Sequence, residues 1–449
     1  MNSSKKIDMT QGPIMKLIVL FALPICAANI LQQLYTTVDT LVIGNFCGHT
    51  SLAAIGTSSQ PVEILLCIFL GIGGGASILV SQYTGGGQTD KLKSVVGTVT
   101  SFLYMSAIPL SILGLILGPM ILKLMQVPDD TMHLAVSYLR VIFLGTLGNM
   151  GYNLNAGILR GLGDSRASLF FLIISCIVNV VLDVIFVAVF RMDVTGAALA
   201  TISAFFASWF FSIGYIQKKY PEIGLTLLPR EMDKQVMKEI IRIGLPLGLN
   251  NSIYSIGHVM TQSLINMQGS AFIAACSVAG KITGIANVAI TSFSQAAATF
   301  SGQNFGAGNM QRLKKGSLRI PLSSGAITCT AGLIMTTFCR PILGLFTDDP
   351  QVLALAVQYV HIVLPFTWCY AVFNGIINFV NGLGDVKYTT VVNILMLWAV
   401  RIPTAYLIAY FIDGQYLMAA VPISFVFGMT CMLAYYRTKK WRTMDYTAR

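Results

Sequence analysis

Residues 14–44, IMKLIVLFALPICAANILQQLYTTVDTLVIG, hold one cation, Lys16, and one acid, Asp39. At 1.5 Å per residue this run is long enough to cross the roughly 30 Å of hydrocarbon in a bilayer. It reads as a transmembrane helix that carries a carboxyl group inside the membrane. Working outward, comparable runs recur along the chain, and spans are expected at about 14–44, 55–80, 95–122, 132–158, 167–190, 195–216, 243–268, 272–300, 318–345, 352–380, 388–411 and 415–436. The bulk composition agrees: charged residues make 10% of the 449 positions and apolar ones 55%, with a mean hydropathy of +0.72. Soluble domains carry about 25% charge, so a soluble protein is excluded. The fold class is an all-α polytopic membrane protein of twelve transmembrane helices, with little chain left for an extramembrane domain.

A net charge of +11 would suggest nucleic acid if the basic residues formed one patch. They lie instead in alternate loops, so no nucleic-acid partner is expected. Of 29 Lys and Arg, 23 fall on the side of the N-terminus, among them Lys5, Lys439, Lys440, Arg442 and Arg449. The excess of positive charge on cytoplasmic loops puts both termini in the cytoplasm and the chain in the plasma membrane. No removable leader is expected, because residues 1–10 are polar and the apolar run from Ile14 exceeds a cleavable segment. The polar stretch 217–241 reads as a cytoplasmic linker, ending in a short interfacial helix over 232–241. Nine scattered cysteines without CxxC spacing suggest neither disulfides nor zinc.

At an offset of 221, SQYTGGGQTDKLK (81–93) falls on GQNFGAGNMQRLK (302–314) and GLGD (161–164) on GLGD (382–385). The same offset pairs Tyr138 with Tyr359 and Ser203 with Ser424. With six spans per half, the two copies have one orientation, which makes them parallel repeats about an axis along the membrane normal. The expected layout is an N-lobe over 1–220, a linker over 221–242 and a C-lobe over 243–449, each lobe with six helices.

These motifs carry a resemblance. Leu23-Pro24 and Leu245-Pro246, VDTLVIG (38–44), GQNFGAG (302–308), RGLGD (160–164) and NVVLD (179–183) together resemble the multidrug and toxic compound extrusion family. Within it they are closest to the branch of DNA-damage-inducible protein F, over essentially the whole chain. The resemblance implies a two-lobed exporter in which a proton or sodium gradient drives amphipathic, often cationic, compounds out of the cell by alternating access.

An ionisable group within a span is costly and marks function by default. Three of the 18 acids qualify: Asp39, Glu63 and Asp183. Counting rise along their helices puts Asp39 and Asp183 at one depth in the outer half of the membrane. Asn179 lies four residues before Asp183 on the same face, and Thr201 and Tyr138 reach that level from neighbouring helices. The resemblance implies that Asp39, Asn179, Asp183 and Thr201 form a proton site or a sodium site, with Tyr138 as a weaker member. Gln32, Thr36 and Asp39 make an i, i+4, i+7 polar stripe that lipid would not tolerate, so Gln32 and Thr36, with Asn155, are expected at a substrate cavity. Another, sodium-coupled branch of the family places acids in the seventh and tenth helices. Here Tyr254 and Tyr370 stand near those places, and neither helix holds an Asp or Glu.

Glu63, at the outer end of its helix, reads as a local pair, a group reaching water or a further coupling acid. Gly71-Ile72-Gly73-Gly74-Gly75 reads as close helix packing, and His258 and His361 as satisfied core histidines. Lys281 and Arg401 are cations within C-lobe spans. Without a GxxxxGK[ST] loop, neither an ATP-driven step nor a separate ATPase subunit is expected, and no cofactor is required. One charge crossing 100 mV yields about 2.3 kcal/mol and one pH unit about 1.36 kcal/mol, enough together to concentrate a neutral drug about 500-fold. The alternatives are a flippase for lipid-linked saccharides and a membrane-embedded enzyme. The expected partners are small amphipathic or cationic molecules and membrane lipid.

Overall fold

The computed structural model describes residues 6–125 and 127–438, without the side chains of His49 and Gln60. Lys5, Lys439, Lys440, Arg442 and Arg449 lie outside the described residues. Every regular element among the described residues is helical. The first half comprises α1 (Ile14–Phe46), α2 (His49–Gly85), α3 (Thr89–Leu124), α4 (Asp129–Leu144), α5 (Thr146–Leu162), α6 (Ser165–Asp183) and α7 (Asp193–Lys219). The second comprises α8 (Lys234–Asn266), α9 (Ser270–Gly306), α10 (Met310–Thr337), α11 (Cys339–Leu343), α12 (Pro350–Val363), α13 (Thr367–Gly382), α14 (Val386–Ile394), α15 (Ile402–Phe411) and α16 (Ala420–Arg437).

Among the described residues ten helical runs are long and apolar enough to cross a membrane, and the α4–α5 pair supplies an eleventh. The 33 residues of α8 complete the twelve; Asn250, Asn251, Ser252 and His258 interrupt its apolar run. The chain is a multi-pass membrane protein of two six-span halves. The span expected over 132–158 is not one straight rod: it bends by 54° between α4 and α5. Gly145 sits at the break, where a Cβ would run into the Ile202 side chain of α7. The separate interfacial helix expected over 232–241 is also corrected. Asp233 Oδ1 caps α8 by accepting from the backbone N–H groups of Gln235 (2.8 Å) and Val236 (3.2 Å). From there α8 runs on unbroken, with Val236, Met237 and Ile240 buried in protein.

The fifth span of each half contains a π-helical segment, Val184–Val189 after α6 and Leu395–Arg401 after α14. Each adjoins the charged residue of its span, Asp183 in one half and Arg401 in the other. Such wide turns recur at functional sites because they interrupt the regular backbone ladder.

Packing divides the chain into two compact units, one of Met1–Ile7 with Ala27–Leu249, the other of Asp8–Cys26 with Asn250–Arg449. The first helix of each half therefore begins in the unit built by the other half. In the first unit α2 and α8 cross at glycine: a Cβ on Gly75 would lie 2.7 Å from the backbone nitrogen of Gly244, and one on Gly71 would overlap the backbone of Gly248. Gly71-x-x-x-Gly75 meets Gly244-x-x-x-Gly248, the close approach that small residues permit in membranes. In the second unit Ile18, Phe21, Ala22 and Ile25 bury the start of α1.

Candidate functional site

Both acids of interest belong to the first unit, Asp39 in the later part of α1 and Asp183 at the end of α6. Their carboxyl groups lie close enough to influence each other electrostatically. Asp183 is 1% exposed and Asn179, one turn earlier, 2%. Asn179 donates from Nδ2 to Thr201 Oγ1 on α7 at 3.4 Å, which ties the expected Asn and Thr together. Both carboxylate oxygens of Asp183, Oδ1 of Asp39 and Oδ1 of Asn179 are buried with no hydrogen-bond partner. Four buried acceptor atoms on α1 and α6 are thus left without a hydrogen-bond donor. Unpaired buried acceptors are expensive, and adjacent carboxylates away from water require a proton or another cation between them.

Tyr138 of α4 lies within electrostatic range of both acids, as does Tyr35 of α1. Tyr35 was not singled out from sequence, although it precedes Asp39 by four residues and shares its face. Of the expected cavity residues, Gln32 and Thr36 are exposed on α1, with Thr36 Oγ1 donating to the Gln32 carbonyl at 2.9 Å. Asn155 is not with them. It is 1% exposed in the core and donates from Nδ2 to Ser212 Oγ at 2.8 Å, because α5 turns that face toward α7. Glu63 is exposed on α2, fourteen positions past the helix start at His49.

In the second unit Tyr254 and Tyr370 both line a cavity of about 570 Å³. The core reading of the two histidines is corrected. His258 is exposed and lines this cavity, while His361 is exposed on α12, its Nδ1 2.8 Å from the Val357 carbonyl. Lys281 is exposed on α9. All nine cysteines are free thiols, and no group of three or more His, Cys, Asp or Glu able to hold a metal occurs among the described residues.

Asp164 of the RGLGD motif enters the sequence reading only through the repeat and the family resemblance, with no role of its own. It is 3% exposed and accepts from Tyr215 Oη (2.9 Å), Tyr220 Oη (2.8 Å), Lys219 Nζ (2.8 Å) and the backbone N–H of Ala167 (3.1 Å). Burial and the Asp164 charge push the Tyr220 phenol upward, so it stays a donor. This cluster joins the start of α6 to the end of α7.

Known proteins resemble the chain over nearly its whole length. The chain is 28% identical over 444 residues, 98% of each chain, to the probable multidrug resistance protein YpnP of Bacillus subtilis (strain 168). It is 27% identical over 440 residues, 95% of this chain and 94% of the other, to the probable multidrug resistance protein YoeA of the same organism. A crystal structure of MATE in complex with MaL6 superposes with a TM-score of 0.89 at 20% identity, covering 97% of this chain and 98% of that one. The MatE family model matches twice, at residues 24–185 and 246–407, once in each half found by the internal repeat. Two matched halves in register with two six-span repeats place this chain in a family of membrane transporters and not of enzymes: it belongs to the MatE family.

Proposed function

We propose that this protein exports amphipathic small molecules, often cationic, across the plasma membrane by alternating access, in exchange for protons or sodium ions. The carrying observation is the Asp39–Asp183 pair, with three of its four carboxylate oxygens buried and without donors. A cation entering from one side neutralises the pair, and its loss to the other side restores the repulsion, which supplies a differential interaction for two conformations. Asn179 and Thr201 orient the acids and offer neutral oxygens, and Tyr138 closes the same environment. The likeness to probable multidrug resistance proteins supports a broad small-molecule cargo. The basic residues along alternate loops support cytoplasmic termini.

The experiment is transport in proteoliposomes, with a pH gradient and a sodium gradient imposed separately while efflux of a fluorescent cationic dye is followed. One gradient alone should drive dye movement. Export under neither gradient, or at one rate regardless of both, overturns ion coupling. Thr89 and Ala307 are exposed in the two aligned basic loops. Cysteines placed at both positions, in a background without reactive thiols, should label from the cytoplasmic side only; labelling of either from outside overturns the orientation.

A further inference from the structure

The fifth span of the second half carries a buried charge of sign opposite to Asp183. Arg401 ends the π-helical segment of its span and is 8% exposed. It forms part of the wall of the 570 Å³ cavity. Its Nε donates to Ser424 Oγ at 2.9 Å, and its guanidinium lies over the Phe425 ring at 5.2 Å. Nη1 makes only a long contact, 3.5 Å, to Tyr254 Oη, and Nη2 is buried with no partner. The guanidinium is thus fixed at one edge and one face, with Nη2 left without an acceptor.

No carboxylate lines this cavity. The ion pairs Lys93–Asp90 and Lys219–Asp164 both lie in the first unit, outside the lining of this cavity. Several acids of the second unit are engaged elsewhere: Asp8 with Thr10, Asp385 with Tyr435 Oη, Asp349 with backbone at the start of α12, and Asp413 with Gln415 N–H. A guanidinium does not shed its proton to escape burial, so it needs an anion from outside the chain. The planar fork matches a carboxylate or phosphate oxygen pair. Beside it Tyr370 stacks on Phe425 with ring centroids 4.5 Å apart, and Tyr254 and Tyr359 complete an aromatic wall. Thr283 and Asn287 add polar groups from α9. The volume is that of a pocket for a drug-sized molecule.

We infer that this cavity is a binding site for an aromatic organic anion, whose acidic group pairs with Arg401 and whose ring lies among Tyr254, Tyr370 and Phe425. As a cargo subsite it rests on the transport reading above, but binding itself does not. The two units then hold sites of opposite charge on corresponding spans: Tyr138 corresponds to Tyr359 through the repeat, and Asp183 and Arg401 both lie in fifth spans. An anionic cargo would be held by a unit that the coupling cation does not enter.

The test is equilibrium binding to full-length protein in zwitterionic lipid nanodiscs, read by fluorescence anisotropy, with fluorescein as the anionic probe. Rhodamine 6G, on the same xanthene core with a positive charge, is the competitor. Fluorescein should bind, Arg401→Gln should weaken it at least tenfold, about 1.4 kcal/mol, and Arg401→Lys should fall between. Asp39→Asn should leave fluorescein binding unchanged, which separates this site from ion coupling. Equal affinity in the wild type and Arg401→Gln overturns the assignment. Should Arg401→Gln fail to fold, the wild type still decides, because rhodamine 6G displacing fluorescein with equal affinity excludes charge recognition. Chloride or phosphate displacing fluorescein at low millimolar concentration makes the occupant an inorganic ion and overturns the organic-anion reading.

Discussion

Met9 donates its backbone N–H to Oε1 of Gln303 at 3.0 Å, across 294 positions of sequence. Asn304 Nδ2 and Arg312 Nε both donate to the Met9 carbonyl at 3.0 Å, and Arg312 reaches on to the carbonyls of Gly12 (2.7 Å) and Gln11 (3.1 Å). The second copy of the repeated motif therefore clamps the lead-in to α1. The first copy and its helix do the same for the lead-in to α8: Tyr83 Oη donates to Glu239 Oε2 at 2.9 Å, Ser94 Oγ to Asp233 Oδ2 at 3.1 Å and Ser101 Oγ to the Arg230 carbonyl. The repeat thus has a physical purpose at these positions, since each half anchors the polar start of the other half's first helix.

Removing that clamp should destabilise the second unit. Gln303→Ala with Asn304→Ala takes away the acceptor of the Met9 N–H and one donor to its carbonyl, and an orphaned buried backbone group costs about 1–3 kcal/mol. Thermal melting in detergent should fall, and protease should cut more readily near residues 8–12. An unchanged melt together with unchanged cleavage would sink the anchoring role.

The α2–α8 crossing leaves no room for side chains. Gly75→Leu or Gly248→Leu should force the helices apart, at the 1–3 kcal/mol or more typical of overpacking. Gly73→Ala is the matched control, because a Cβ there meets nothing within 4 Å. Equal folded yield and melting of Gly73→Ala and Gly75→Leu would show that the crossing tolerates bulk.

Asp164 holds four donors in a buried setting, so Asp164→Ala should cost about 3–5 kcal/mol by leaving Lys219 and two tyrosine hydroxyls without their acceptor. Lys219 is partly exposed, at 23% for its side chain, so Lys219→Met should cost less. Unfolding of the detergent-solubilised variants measures both; a larger loss for Lys219→Met would reverse the assignment of Asp164 as the centre of the cluster.

What could be read in the sequence follows from what the bilayer dictates. Span positions were legible because hydrocarbon demands long apolar runs. The exchange of helix starts between units was not, since residues 8–26 look like any polar lead-in and apolar helix until Gln303 and Arg312 are seen to bind them. The π segments at Val184–Val189 and Leu395–Arg401 leave no compositional trace, because the same apolar residues suit either helix. Arg401 was visible as an embedded cation, but its unpaired Nη2 depends on where Ser424 and Phe425 fall in space.

If Asp39 and Asp183 share one cation, they act as one unit, and their substitutions should not add. Asp39→Asn and Asp183→Asn should each abolish gradient-driven export while the protein still inserts and folds. Asn keeps the size and much of the hydrogen bonding but cannot release a proton, and it is a weaker cation ligand than carboxylate. The double variant should then lose no more than either single one, as expected for groups in one network. Inward-facing binding of a cationic dye should survive in all three, because the acids bind the coupling ion and not the cargo. The measurement is dye efflux from proteoliposomes matched for protein content, beside dye binding without a gradient. A single variant that exports at the wild-type rate is a helix brace and not a coupling group. Two partial losses that multiply in the double variant would mean that the acids bind separate ions.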